Sequence, residues 1–433
     1  MSLIVIKIPD IERAINKSVN TLIGTFKSIS SNKTGGWWNN ITPNEVGGWH
    51  QFIFDKKIGA VATSQGIACF AYSNKEFAKL PLSINLLKNE QFKDGGFTIK
   101  ILSEFPIVES TSWVLLGIKD IKNEIAKEII TEGAKWLENN RNDDKGWGAI
   151  EGTASRIYAT ALAIWALLAT NSRKYQKIIN EGINWIKDAR NADGCWGELP
   201  RDEKSTPFHT AFVIFVLRQC GISADSDILS KSLRWLDEQW DKKDMWDLHE
   251  ETANLLEHYD LEIAPEKWTR IVWNHFVTPW VIIALLNCGV LNGKVFRGID
   301  WLIKSQTKEG GWKHRNVNEL TLWAVHDSLF CLTSFLDRIV DIKNYDSVEL
   351  HDDVLVLKGK FDLARKIKSA ISLTAIFIKK YWAGVIISLY LLIGGICTLE
   401  NLWTLQSYLI GLVFPISLLV IQWIKEKTVV IIK

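Results

Sequence analysis

A repeated phrase, clearest in Arg297 to Trp312 (RGIDWLIKSQTKEGGW), constrains this chain more than any other feature. Ile299, Trp301, Leu302 and Ile303 supply an apolar helical face. Gly310-Gly311 then stops the helix with residues that tolerate positive φ, and Trp312 packs back. Weaker copies align on Leu87, Trp136, Trp185, Trp235 and Trp301, at spacings of 49, 49, 50 and 66 residues. A period near 50 is the signature of stacked helical hairpins rather than of one irregular globule.

Each unit has the same grammar: an outer helix with an aromatic or Leu anchor, a Gly-rich turn, a loop, and an inner helix that is almost entirely apolar. The turns are DGGF from Asp94, KGWG from Lys145, DGCWG from Asp193, a glycine-less DMW from Asp244, and EGGW from Glu309. The inner helices align without gaps as TSWVLLGI from Thr111, TALAIWAL from Thr160, TAFVIFVL from Thr210, TPWVIIAL from Thr278 and SLFCLTSF from Ser328. Helices apolar all round must be buried all round. With Asp10 to Ile29 as a first helix and Val61 to Tyr72 as the most degenerate inner one, six hairpins result. The expected fold is therefore all-α, an (α/α)6 toroid closing as a double ring around a central cavity over residues 1–339.

The spacing of 66 requires an insertion near 248–275, whose charged pattern reads as an extra rim helix. Residues 340–380 read as a linker with a basic juxtamembrane helix (Lys358, Lys360, Arg365, Lys366, Lys368), and 381–433 as a transmembrane hairpin. Trp382 to Leu399 and Leu402 to Ile424 are each long enough for a bilayer core of roughly 30 Å, and Lys379, Lys380, Lys425 and Lys427 flank the outer ends. The expectation is a two-pass protein of the inner (cytoplasmic) membrane, with toroid and both termini in the cytoplasm, and with the hairpin able to assemble a homo-oligomer.

Composition narrows the function classes. Lys plus Arg (51) nearly cancels Asp plus Glu (49), which argues against a nucleic-acid partner. The 21 tryptophans sit largely at repeated positions and read first as wedges between helices. Six cysteines without CxxC spacing read as reduced structural thiols, and the apolar start before Pro9 is too short for a signal-peptide core.

Arg297, Gly298, Trp301, Leu302, Gln306, Gly311 and Trp312 resemble the QW repeat of squalene cyclases, with partial copies around Trp136 and Trp185. The toroid portion thus resembles the terpene cyclase and protein prenyltransferase superfamily, which implies a long apolar isoprenoid or lipid-like ligand in the cavity. Class II cyclases of that superfamily place a DxDD acid motif just before the inner-helix Thr. Here the corresponding residues are IVES, RIYA, TPFH, NHFV and AVHD, none of them DxDD. Glu109 alone puts a carboxylate where the middle Asp would fall, and Asp327, beside His326, is next nearest; these two are the candidate acids. The PFHT start resembles the zinc-binding helix of prenyltransferases and makes His209 the matching ligand. Its Asp-x-Cys partner is Arg156-Ile157-Tyr158 here, so no metal and no cofactor are expected.

The candidate cavity-binding residues are His209, His326, Trp113, Trp165, Phe212 and Trp280. The bland readings are a helix-terminal carboxylate for Glu109 and a hydrogen-bonded core histidine for His209. Three functions follow. The first is a membrane-anchored, non-catalytic toroid that binds an apolar ligand or a protein partner. The others are an isoprenoid cyclase or transferase, and a sensor toroid coupled to a membrane-perturbing hairpin.

Overall fold

The computed structural model describes residues 4–30, 45–55, 57–98, 105–201, 204–240, 246, 253–258, 269–313, 319–339, 347–351 and 354–358. Two compact units divide the chain, Pro9–Val340 and a smaller one made of Met1–Ile8 with Asp341–Lys433.

In the larger unit the apolar segments form one set of helices: α2 (Ala60–Tyr72), α4 (Val108–Ile118), the first half of α6 (Ile157–Asp188), α7 (Pro207–Gln219), α9 (Val277–Asn287) and α11 (Leu322–Arg338). α7 and α9 are buried along almost their whole length, as their lack of a polar face requires. Amphipathic segments form the other set: α1 (Ile8–Thr25), α3 (Leu80–Glu90), α5 (Glu124–Asn139), the second half of α6, α8 (Asp227–Glu238) and α10 (Gly293–Ser305). Neighbouring inner helices pack in the order α2, α4, α6, α7, α9 and α11, and α11 packs back on α2, which closes the inner ring. In α6 the two halves meet at Asn171, whose φ of −160° and ψ of 82° are not helical. Its Oδ1 accepts from the Lys174 amide at 3.1 Å and so caps the outer half.

The repeated Thr and Trp have structural work. The backbone N–H groups of five turn aromatics donate to a Thr Oγ1 on the following inner helix: Trp49 to Thr63, Phe97 to Thr111, Trp147 to Thr160, Trp196 to Thr210 and Trp246 to Thr278, at 2.9–3.2 Å. The indole N–H groups of Trp147, Trp196, Trp246 and Trp312 donate to the carbonyls of Leu137, Ile186, Leu236 and Leu302 at 2.7–3.0 Å. Each pair fixes a turn against the helix before it and the helix after it.

The full copy of the repeat lies at the seam of the ring. Gln306 Nε2 donates to Ala14 O at 2.8 Å and Ser18 Oγ at 3.0 Å, and Ser18 Oγ donates to Gly310 O at 2.6 Å. Gly310 has a φ of +84°, and a Cβ there would stand 2.6 Å from Thr21 Oγ1 and 2.8 Å from Lys17 O. Only glycine permits both the turn and the approach of α1.

Several expectations are corrected. The insertion is not helical where it is described: β4 (Ala253–His258) pairs antiparallel with β5 (Thr269–Asn274), opposing Leu255 to Val272. β2 (Lys27–Ser30) pairs with β3 (Glu45–Gly48) beside the first Trp turn. In the smaller unit β1 (Ile4–Lys7), β6 (Ser347–His351) and β7 (Val354–Lys358) form an antiparallel sheet, so Lys358 lies on a strand. The other basic-helix residues, Lys360 to Lys368, lie outside the described residues. The fold is mostly helical rather than purely α.

The two-pass inner-membrane localisation, with toroid and both termini cytoplasmic, is also corrected. Among the described residues no helix is long and apolar enough to cross a membrane. Even the 32-residue α6 carries Arg173, Lys174, Lys177 and Lys187. The stretches 382–399 and 402–424, which carried that expectation through their apolar length and flanking lysines, lie outside the described residues. With them go the supports for oligomerisation through the hairpin and for the membrane effector.

α11 carries a register correction. Its N-cap is Thr321, whereas α4, α6 and α7 are capped by Ile107, Arg156 and Thr206, each four residues before the repeated Thr. Val325, not Ser328, therefore takes the Thr position. A slip of three residues is close to one helical turn and leaves the apolar pattern almost unchanged, so the cap sets the register and the pattern does not.

Candidate functional site

With the repeated Thr aligned and Val325 in its place on α11, three layers of side chains stand at equivalent positions. Two residues after the Thr position stand Gln65, Trp113, Leu162, Phe212, Trp280 and Asp327; a layer three residues further on contains Trp165, Phe215 and Phe330. Two residues before it stand Glu109, Tyr158 and Phe208.

The rings of the middle and far layers touch across the toroid. α4 lies opposite α9, yet Trp113 and Trp280 have centroids 6.3 Å apart; α6 lies opposite α11, yet Trp165 and Phe330 are 6.3 Å apart with ring planes at 17°. Trp280 also meets Phe212 at 4.8 Å and Phe330 at 6.0 Å. The expected central cavity is therefore occupied at this depth by the chain's own aromatic side chains. Their quadrupoles make the same lining attractive to a cation.

Asp327 is set into that aromatic layer. Its Oδ1 lies 2.9 Å from His326 Nδ1, and His326 Nε2 lies 3.2 Å from the Tyr72 hydroxyl. Asp327 also accepts a hydrogen bond from Trp280, and His326 meets the Trp113 ring edge-to-face at 5.1 Å. Burial raises the Asp327 carboxyl above its usual value, opposed by the hydrogen bond from His326. A carboxyl held toward its neutral form among aromatic rings is chemically a proton donor.

Glu109 occupies the layer nearer the inner-helix N-termini. Tyr158 donates to Glu109 Oε1 at 3.4 Å and accepts from Trp113 Nε1 at 3.0 Å, so a Trp links the surroundings of the two carboxyls. Burial pushes the Glu109 carboxyl up to about 7, with the Tyr158 bond pulling the other way. Glu109 nevertheless keeps partial solvent access, unlike Asp327 at 5% exposure. It stands in the layer nearer the inner-helix N-termini, and Asp327 stands in the next layer.

Of the residues singled out in the sequence, Asp327, His326, Trp113, Trp165, Phe212 and Trp280 gather at the axis, and Glu109 joins them through Tyr158. His209 does not. Its Nδ1 lies 2.7 Å from Thr206 Oγ1 beside the helix start, and its ring is 1% exposed. Among the described residues no group of three His, Cys, Asp or Glu could hold a metal ion.

Tyr72 and Tyr158 were missed. Tyr158 stands in the same column as Glu109, and aligning the columns by helix cap would have found it. Tyr72 sits near the C-terminal end of α2 and reaches α11 only because the ring closes, a contact with no local signal.

The family described as the squalene-hopene cyclase C-terminal domain matches residues 152–255, which span the third and fourth inner helices. No curated protein matches the chain. Among solved structures, a protein from Actinoplanes is similar at 12% identity and TM-score 0.47, over 76% of this chain and 99% of its own. The type II terpene cyclase MstE from Scytonema is similar at 11% identity and TM-score 0.47, over 77% and 98% respectively. A family 76 glycoside hydrolase from a bovine Bacteroides thetaiotaomicron strain gives 10% identity and TM-score 0.47, over 76% and 77%. Likenesses this distant, to proteins of such different activity, select no chemistry.

The domain match and the shared repeats make the chain a terpene cyclase-like toroid, without the DxDD and zinc-ligand motifs.

Proposed function

We propose that this toroid acts on an isoprenoid as a protonation-initiated cyclase, with Asp327 as the acid. One observation carries the reading: a buried, hydrogen-bonded carboxyl stands in a layer of aromatic rings on the axis of the ring. The proton on Asp327 would add to a terminal alkene or epoxide, and the resulting cation would be held by the faces of Trp113, Phe212 and Trp280. Loss of a proton from the final cation returns the balance, so the product is an isomer of the substrate. His326, held by Tyr72, positions the acid. Glu109, in the layer nearer the helix N-termini, is the second candidate.

The missing DxDD motif favours a second reading, that the chain binds an isoprenoid without turning it over. Purified protein incubated with squalene, geranylgeranyl diphosphate and geranylgeranyl dihydroxybenzoate separates the two. A chromatographically new species of unchanged mass supports the cyclase. A ligand that copurifies or saturates without a new species supports the binder, and neither product nor binding sinks both.

A further inference from the structure

Away from the axis, one of the described turns of the ring departs from its neighbours. Gly95, Gly194 and Gly310 occupy the same turn position with φ of +99°, +90° and +84°. In each case the outer helix of the next hairpin crowds it. A Cβ would stand 2.4 Å from Glu132 O at Gly95, 2.6 Å from Lys231 Cδ at Gly194, and 2.6 Å from Thr21 Oγ1 at Gly310. The third turn has Lys145 there instead, at a φ of +77° that side chains rarely adopt. Here a cleft of about 580 Å³ lies between the turn and the outer half of α6, lined by residues that include Lys145, Glu181, Asn184, Trp185, Asp188 and Arg201. Arg201 is also in the left-handed region, at +54°. Two residues that adopt this costly conformation thus face one cleft, which exists where the repeat would otherwise pack shut.

We propose that this cleft is a binding site for a saccharide. Trp185 donates its Nε1–H to Asp144 Oδ2 at 3.0 Å, so what it offers the cleft is ring carbon, a platform for the C–H face of a pyranose. Asp144 is fully engaged as well, accepting from the Gly146 amide at 3.0 Å and from Ser155 Oγ at 2.7 Å. Glu181 is paired with Arg141. Charges of both signs line the cleft, Lys145 and Arg201 with Asp188, together with the Asn184 amide. Arg201 Nε additionally caps the end of α6 by donating to Asp188 O at 3.2 Å. A balanced set of donors and acceptors beside an aromatic face suits a neutral polyhydroxyl ring. It does not suit a polyanion, which Asp144, Glu181 and Asp188 would repel. The cleft volume falls in the range of small-ligand pockets.

The test is isothermal titration of the full chain with maltohexaose, cellohexaose, mannohexaose and chitohexaose, with adenosine monophosphate as the anionic, aromatic alternative. The expected result is saturation by one saccharide at or below about 10 mM, weakened at least about tenfold by Trp185→Ala and by the exposed Asp188→Ala. Lys145→Gly should weaken binding several-fold while raising the melting midpoint by about 2–4 °C, since glycine relieves the strained turn. A merely structural lysine would not couple a gain in stability to a loss of binding. No saccharide binding by about 10 mM overturns the proposal. So does binding indifferent to Asp188→Ala, or preference for the nucleotide.

Discussion

The rim of the toroid repeats itself and the axis does not. At the rim, five turn aromatics make the same backbone bond to five threonines, and four indoles reach the carbonyl ten residues back. At the axis, equivalent positions hold Gln65, Trp113, Leu162, Phe212, Trp280 and Asp327, no two layers alike. Where a repeat keeps a residue type in every copy, the residue serves the copy. Where it varies around a closed ring, the residue serves the space that the ring encloses. Asp327, the only carboxyl in its layer, has no counterpart on the rim.

Four changes would break or sharpen this division. The largest effect is expected at the axis: Asp327→Asn should lower product formation by about 10²–10⁴-fold, the range for loss of a positioned acid, with the melting midpoint held, because burial already favours a neutral group there. Turnover unchanged in this variant would move the acid to Glu109 or end the cyclase reading. Next comes the seam. Gly310→Ala forces a Cβ against Lys17 and Thr21 at positive φ and should cost about 2–4 kcal/mol in chemical unfolding. A cost as small as that of an exposed alanine would mean that α1 does not close the ring.

Third, pH should act through Glu109. The Glu109 carboxyl is raised from 4.5 to about 7 in the folded chain. The folded state therefore binds the proton more tightly, and this contribution is complete below pH 4.5 and lost as pH rises through about 7. The fall is at most about 3 kcal/mol, and less in so far as solvent reaches the group. Melting between pH 5 and 8 should show it, and Glu109→Gln should flatten part of the slope; what persists belongs to Asp327, whose shift has the same sign. An identical slope in the variant would place Glu109 in water. The smallest effect is a single rim bond: Thr160→Val leaves the buried Trp147 amide without its acceptor and should cost about 1–3 kcal/mol, with similar losses at Thr111 and Thr210 and no change in ligand behaviour. A change in ligand behaviour there would erase the line between rim and axis.

Much of the site was legible by type and little by position. Trp113, Phe212 and Trp280 could be picked out as inner-helix aromatics because apolar helices must turn their largest side chains inward. Aligning α11 on Ser328 put Asp327 outside their layer. The cap at Thr321 restores it, and helix caps leave a weaker trace in sequence than apolar periodicity does. The expectation of a hollow centre failed for a different reason: ring size and helix spacing leave room at the axis, and only side-chain packing says that indoles meet there.

The chain's own sequence determined the hairpins, their number and their inner and outer faces, because a 50-residue period and helical amphipathicity are local properties. Tertiary structure decided which helices stand opposite one another, and hence that Tyr72 reaches His326 across 254 residues of chain and that Trp113 meets Trp280. The physical reason is closure. A ring brings together side chains from all six inner helices at one point, and no window along the sequence contains more than one or two of them.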